Sequence, residues 1–274
     1  MTAPDRPPRR IAIVGTGRMG EALLGGLLRS GWAPEQLWCT VRSEERARVL
    51  AETYGVRADT DSVAAAAGSG IVLLAVKPQN IRDVLEDIAA VVTSEQTVIS
   101  VAAGVPTSTI EEVLTDGVPV VRVMSNVPVL VDEAMSAVSG GRYAEERHLE
   151  VAEEVLGQVG KVLRLSEEHL DSVTALSGSG PAYFFLLAEA MIDAGILLGL
   201  SRDVATELII QTMVGSAKML RDTGRHPVEL RESVTSPGGT TIAAVRVLEQ
   251  ERVRAAFLNA IEAAKRRSEE LAGA

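Results

Sequence analysis

The sequence predicts an α/β fold in two parts: a doubly wound, mostly parallel sheet over residues 1–166, then an all-α domain over residues 167–274. Three observations carry this. Short, wholly apolar, β-branched runs recur through the first part, as expected of strands buried on both faces of a parallel sheet. Amphipathic segments with helical spacing stand between them, so strand and helix alternate. Past Glu167 the alternation stops, and apolar residues recur only at helical intervals.

The first unit sets the pattern. Ile11-Ala12-Ile13-Val14 reads as a buried strand, and Gly15-Thr16-Gly17-Arg18-Met19-Gly20 completes G-x-G-x-x-G directly after it. Leu23, Leu24, Leu27 and Leu28 then mark a helix. In this Rossmann-type arrangement Gly15 makes the tight turn and Gly17 lets the backbone approach a pyrophosphate. Gly20 lets the helix pack closely on its strand, and the helix N-terminus offers free N–H groups to the anion. A glycine cluster can also simply end a strand; the strand before it and the helix after it favour dinucleotide binding.

Further strands are predicted at 37–41, 71–76, 97–101, 118–124, 134–138 and 162–165, with helices at 43–54, 81–92 and 145–159. In the second part, helices are predicted at 181–198, 202–220, 227–234, 240–248 and 252–271, separated by Gly, Ser-Arg-Asp, Gly-Arg-His-Pro and Pro-Gly-Gly breaks. The 181–200 stretch is near membrane-spanning length, but Glu189 and Asp193 lie inside it one turn apart. A helix buried in a core or a dimer interface fits better.

Composition narrows the function. The chain has 274 residues, 46% hydrophobic and 23% charged, enough for one large or two modest soluble domains. A net charge of −10 gives no electrostatic reason to bind nucleic acid or an anionic membrane. The single cysteine, Cys39, excludes an internal disulfide, suits a reducing cytoplasm and reads as buried filler in a strand. His148, His169 and His226 have no ligand spacing, so no metal site is expected. Residues 1–10 are proline- and arginine-rich without an apolar core, which reads as a basic tail rather than a secretory signal. Arg9-Arg10 leads only into a strand-length apolar run, against a twin-arginine signal.

Cofactor choice is written at the end of the second strand. Thr40-Val41-Arg42-Ser43 has no acid to take a ribose 2′-hydroxyl, and offers a guanidinium and a hydroxyl. That favours NADP over NAD, with NADPH as the preferred reductant and NADH as the alternative. Glu44 and Glu45 follow closely, either as solvated helix-start residues or in opposition to the phosphate. Ala75-Val76-Lys77-Pro78 ends the strand that borders the cofactor crevice; Lys77 either steadies the dinucleotide or is a solvated strand-end lysine before Pro78. Asn126 after another strand either faces the nicotinamide or bonds its own backbone.

In the helical half, Val234-Thr235-Ser236-Pro237-Gly238-Gly239-Thr240-Thr241 clusters exposed N–H groups and hydroxyls at a helix start, which suits a carboxylate. A capped interhelical loop would need a Ser or Thr but not Pro-Gly-Gly. Ser177-Gly178-Ser179-Gly180-Pro181-Ala182-Tyr183 is a second glycine loop, whose larger role reads as close helix packing.

These motifs, in this order and spacing, resemble the pyrroline-5-carboxylate reductase family across essentially the whole chain from Ile11. The resemblance implies reduction of 1-pyrroline-5-carboxylate to L-proline, the last step of proline biosynthesis. It also implies dimerisation through the helical half, with dimers assembling into rings. By this resemblance Ser236, Gly239, Thr240 and Thr241 hold the substrate carboxylate, and Thr241 is catalytic through a hydrogen bond to the imine nitrogen. Val234 lines the substrate pocket, and Ala103 and Asn126 lie near the nicotinamide. Two departures stand out. Met124-Ser125-Asn126-Val127-Pro128 replaces the family's common Met-Pro-Asn-Thr-Pro, and Ser62 stands where an Asn is often found beside the adenosine. The rival readings are another imine or oxo-acid reductase of this layout, including a deazaflavin-dependent one, and a non-catalytic dinucleotide-binding regulator. The Gly-Gly-Thr-Thr loop speaks against the regulator.

Overall fold

The computed structural model describes residues 10–272. The basic N-terminal tail read from the sequence lies, except for Arg10, outside the described residues. Strand β1 (Ile11–Val14) leads into α1 (Arg18–Arg29), β2 (Leu37–Thr40), α2 (Glu44–Tyr54), β3 (Arg57–Asp59) and α3 (Ser62–Ala67). There follow β4 (Ile71–Leu74), α4 (Ile81–Ile88), β5 (Thr97–Ser100), α5 (Thr107–Glu111), β6 (Val120–Met124), β7 (Ala134–Gly140), α6 (Glu146–Leu156) and β8 (Gly160–Arg164). The strands form one sheet in the order β3-β2-β1-β4-β5-β6-β7-β8. Every neighbouring pair is parallel except β6 and β7.

Both faces of the central strands are covered, which is why β1 and β4 are apolar throughout. Ile11 and Ile13 join one core with Leu23, Leu24 and Leu27 of α1, Leu50 of α2 and Val155 of α6. Ala12 and Val14 join the other, with Ala65 of α3, Ile81, Leu85 and Ile88 of α4, and Ile110 of α5. The sheet is therefore doubly wound, as the alternation predicts.

The structure adds β3, α3 and α5, which have no apolar run or long period. β3 is a polar edge strand: Trp38 Nε1 donates to Asp59 Oδ2 at 2.9 Å, and the Arg57 guanidinium lies 3.2 Å from the Trp38 ring centroid. The alanine-rich α3 starts because Asp61 caps it, accepting from the Ala64 N–H at 2.8 Å.

After β8 the chain turns through α7 (Leu170–Val173) and a π-helical turn, Thr174–Gly178, into α8 (Gly180–Leu197). Then come α9 (Arg202–Thr223), α10 (Pro227–Ser233), α11 (Thr240–Gln250) and α12 (Val253–Ala272). Ser201 caps α9, and Gly224 at φ 64° ends it; Pro227 opens α10 at its first position. By contacts the chain forms two compact units, Met1–Ser179 with Lys265–Ala274, and Gly180–Ala264. The first turns of the helical part belong to the sheet unit because they are tied to it. Asn126 Nδ2 donates to the Ser177 carbonyl at 3.2 Å, and Ser268 Oγ to Asp171 Oδ1 at 2.6 Å.

Of the two readings of the apolar stretch at 181–200, burial in a core is not what this chain does. Gly180 is the only buried residue of α8, and Phe184, Phe185 and Leu186 are more than 60% exposed. By length and composition Glu167–Leu197 is apolar enough to span a membrane. Its Asp193, however, pairs with Arg202 at 3.4 Å.

Candidate functional site

A cleft of about 770 Å³ opens in the sheet unit, at the C-terminal ends of β1, β2 and β4 where the strand order reverses. Its wall includes Gly15, Thr16, Gly17, Arg42, Ser43, Ala75, Val76 and Lys77. The fingerprint glycines have three separate duties. Gly15 takes φ 88°, and its N–H and that of Thr16 donate to the Thr40 carbonyl at 3.1 and 2.9 Å, pinning the turn to β2. A Cβ there would collide with Val76. At Gly17 a Cβ would meet nothing within 4 Å, so its backbone lies open on the cleft. At Gly20 a Cβ would stand 3.0 Å from the Gly15 carbonyl oxygen and 3.3 Å from Ala75 Cβ, so α1 packs as closely as the motif requires.

Helix α1 begins with Gly17 as its cap and no side-chain cap. Its first intrahelical bond is Glu21 N–H to the Gly17 carbonyl at 2.8 Å, so the N–H groups of Arg18, Met19 and Gly20 have no intrahelical partner and suit an anion. These residues fit a dinucleotide: a bare backbone for the pyrophosphate, and hydroxyls and guanidiniums along the β2 side. Arg18, Met19 and Gly20 form the first turn of α1 rather than the cleft wall; Met19 packs on the core.

At the β2 end, Arg42 is exposed on the wall with no carboxylate partner among the described residues. Ser43 Oγ caps α2, accepting from the Arg46 N–H at 3.3 Å. Glu44 Oε1 accepts from Thr60 Oγ1 at 2.8 Å, and neither Glu44 nor Glu45 lines the cleft. Sequence reasoning missed Arg46, Thr60, Asn80, Asp83, Val84 and Asp87, which also line it, as does Ser62. Only the fourfold spacing of Asn80, which caps α4, to Val84 and of Asp83 to Asp87 on that helix could have signalled that side.

Other expected residues lie elsewhere. Pro78 starts a 3-10 turn beyond Lys77, and Ala103 is exposed in the turn after β5; neither lines the cleft. Asn126 is buried and its amide is committed to protein. Nδ2 donates to the carbonyl and Oγ of Ser177, both at 3.2 Å, and Oδ1 accepts from the Met135 N–H at 2.9 Å. Next to it, Gly178 packs against the Met124 methyl, where a Cβ would require that side chain to move.

In the Gly180–Ala264 unit, α10 ends at exposed Val234, and the loop from Ser236 leads into α11. Thr235 Oγ1 donates to the Arg231 carbonyl at 2.6 Å, so it serves the helix end. Gly238 takes φ 70°, and the Gly239 N–H donates to the Ser236 carbonyl at 3.1 Å. A Cβ at Gly239 would meet Ser236 Oγ, so the loop packs tightly there. Gly239 caps α11 without a side chain, leaving the first-turn N–H groups beside Thr240 and half-buried Thr241 uncapped. An uncapped helix start of this kind suits a carboxylate.

The fold and these two sites define a two-part, nicotinamide-dependent oxidoreductase. Residues 167–271 match the family model described as pyrroline-5-carboxylate reductase dimerisation, and residues 10–104 match that of the NADP oxidoreductases, coenzyme F420-dependent. A pyrroline-5-carboxylate reductase from Corynebacterium melassecola is 45% identical over 264 residues, covering 95% of this chain and 98% of its own. The solved pyrroline-5-carboxylate reductase of Coxiella burnetii is 36% identical with a TM-score of 0.92, over 96% of this chain and 98% of its own. That of Plasmodium falciparum, solved with NADP bound, is 28% identical with a TM-score of 0.86, over the same shares. The chain belongs to the pyrroline-5-carboxylate reductase family and reduces 1-pyrroline-5-carboxylate to L-proline with a reduced nicotinamide cofactor, completing proline biosynthesis.

Proposed function

We propose that this reductase prefers NADPH to NADH, holding the dinucleotide in the cleft and the substrate carboxylate on the loop before α11. The observation that carries the preference is the β2 end: Arg42 is unpaired among the described residues, Ser43 is beside it, and the nearby Glu44 is turned to Thr60. The Plasmodium relative with NADP bound supports it. The loop from Gly15 through Thr16, Gly17, Arg18 and Met19 to Gly20 receives the pyrophosphate, and Arg42 and Ser43 receive the 2′-phosphate. Ala75, Val76 and Lys77 border the cofactor and Pro78 follows just beyond them, with Ala103 and Asn126 outside the cleft wall toward the nicotinamide end.

The bound dihydronicotinamide supplies the hydride for the imine carbon. The protein's task is to bind, orient and exclude water. Ser236, Gly239 and Thr240 hold the carboxylate, the Thr241 hydroxyl hydrogen-bonds the imine nitrogen as it becomes the amine, and Val234 lines the ring pocket. The helical half from residue 167 also forms the dimer, and dimers assemble into a larger ring, in the cytoplasm. The dimerisation model matched there and the exposed apolar helices support the assembly.

The test is kcat/KM with each cofactor in the wild type and in Arg42→Ala. NADPH should be favoured, and the substitution should lower the NADPH value about tenfold while leaving NADH nearly untouched. Equal losses with both would show that Arg42 does not read the phosphate.

A further inference from the structure

Arg42 and Ser43 leave a second guanidinium on the same wall. Arg46 lines the cleft from the first turn of α2, with 38% of its side chain exposed. One edge is tethered: Nη2 meets Glu21 Oε2 at 2.5 Å, and the Tyr54 hydroxyl donates to the other Glu21 oxygen at 3.2 Å. Nε and Nη1 of Arg46 have no acceptor among the described residues. Its own N–H donates to Ser43 Oγ, so the guanidinium springs from one helical turn beyond the hydroxyl assigned to the phosphate.

The tether matters because of where Glu21 stands. It lies in the first turn of α1, directly behind the glycine loop, so the pair joins the wall at the β2 end to the element that receives the pyrophosphate. A guanidinium is a rigid planar fork. Held along one edge by a carboxylate that is itself hydrogen-bonded, it presents its other donors with little rotamer freedom left to lose on binding. A phosphate monoester carries close to two negative charges at neutral pH, which one exposed arginine only half offsets. Glu21 is paired with Arg46 and does not line the cleft, and the acids that do, Asp83 and Asp87, stand on α4, so the β2 side of the wall offers donors.

We propose that Arg46 is a second specificity residue that clamps the 2′-phosphate of NADPH together with Arg42, with Glu21 and Tyr54 as its positioning residues. This rests on the NADPH reading above. The competing role is a plain ion pair between α1 and α2, and the two differ in what they do to ligands distinguished only by the phosphate.

The experiment is calorimetric binding of 2′-phospho-ADP-ribose and of ADP-ribose to the full chain, alongside kcat/KM for NADPH and NADH. Arg46→Gln should weaken the phosphorylated ligand about ten- to thirtyfold and leave ADP-ribose within about twofold. The double variant Glu21→Gln/Arg46→Gln, which can keep a neutral hydrogen bond between the helices, should show the same selective loss even if the single variant folds poorly. Equal weakening of both ligands, or no change in their ratio, overturns the clamp. If Arg42→Ala erodes the phosphate preference while Arg46→Gln keeps the wild-type ratio, only this inference falls. If the wild type itself does not distinguish the two ligands, the NADPH reading falls and takes the clamp with it.

Discussion

Thr241 is the residue on which the proposed chemistry turns. It stands in the first turn of α11 behind a glycine cap, half-buried, in a loop whose only other hydroxyls are Ser236, Thr240 and the already engaged Thr235. A threonine hydroxyl is too weak an acid to be an independent proton source, so it orients the imine nitrogen and relays. A hydrogen bond to a charged group is worth about 1.5–3 kcal/mol. Thr241→Ala should therefore lower kcat/KM about ten- to a hundredfold, with NADPH affinity unchanged. Thr240→Ala should be milder, because the backbone N–H it retains is the proposed contact to the carboxylate. Full activity in Thr241→Ala, or lost NADPH binding instead, would reduce Thr241 to a helix-start residue.

Among the elements, the short turn opening the helical part is held by one carboxylate. Glu167 accepts from the Thr107 N–H at 2.8 Å and from Thr107 Oγ1 at 2.7 Å, at the start of α5, and from Arg122 Nη1 on β6 at 3.0 Å. Burial opposes its ionisation, but the hydrogen bonds from Thr107 and the nearby Arg122 outweigh it, and its pKa lies below the usual 4.5. A carboxylate depressed in the folded state adds stability that is fully present above its unfolded pKa. That stability is lost as pH falls through the folded value. Thermal melts from pH 6 downward should show the wild type losing midpoint temperature below about pH 4.5. Glu167→Gln should start lower, by about 1–3 kcal/mol, because buried Arg122 loses its counter-charge, and should fall less steeply with acid. Parallel curves would remove Glu167 from the account.

At the scale of the molecule, the second unit has more apolar surface than it can cover. Its helices α8 and α9 pack tightly, since a Cβ at Gly195 would stand 2.8 Å from Ala205 Cβ. Yet Phe185, Leu186, Leu197 and Leu198 are at least 66% exposed. At about 25 cal/mol per Å² of apolar area, a surface of this kind favours association strongly. Light scattering at micromolar concentration should give at least a dimer, and Phe185→Glu should shift the mass toward monomer and cut activity with it. A wild-type monomer would overturn the proposed assembly.

The sequence by itself determined the features whose causes are local. Wholly apolar strands announce a sheet covered on both faces. Glycines at 15, 17 and 20 announce a turn, an open backbone and a close helix, and the Pro-Gly-Gly loop announces an uncapped helix start. Even α8, apolar all round, was visible as a helix needing cover. Tertiary structure alone decided what depends on partners distant in the chain. It turned Glu44 to Thr60 and Arg46 to Glu21, committed the Asn126 amide to Ser177 and Met135, and set β7 antiparallel to β6. It also exposed α8 rather than burying it within its own chain. The polar edge strand β3 stayed silent in the sequence because backbone pairing and the contacts of Arg57 and Asp59 with Trp38, not an apolar run, hold it to β2. Hydrophobic period and glycine geometry are written residue by residue, whereas the aim of a polar side chain is set only when another element arrives beside it.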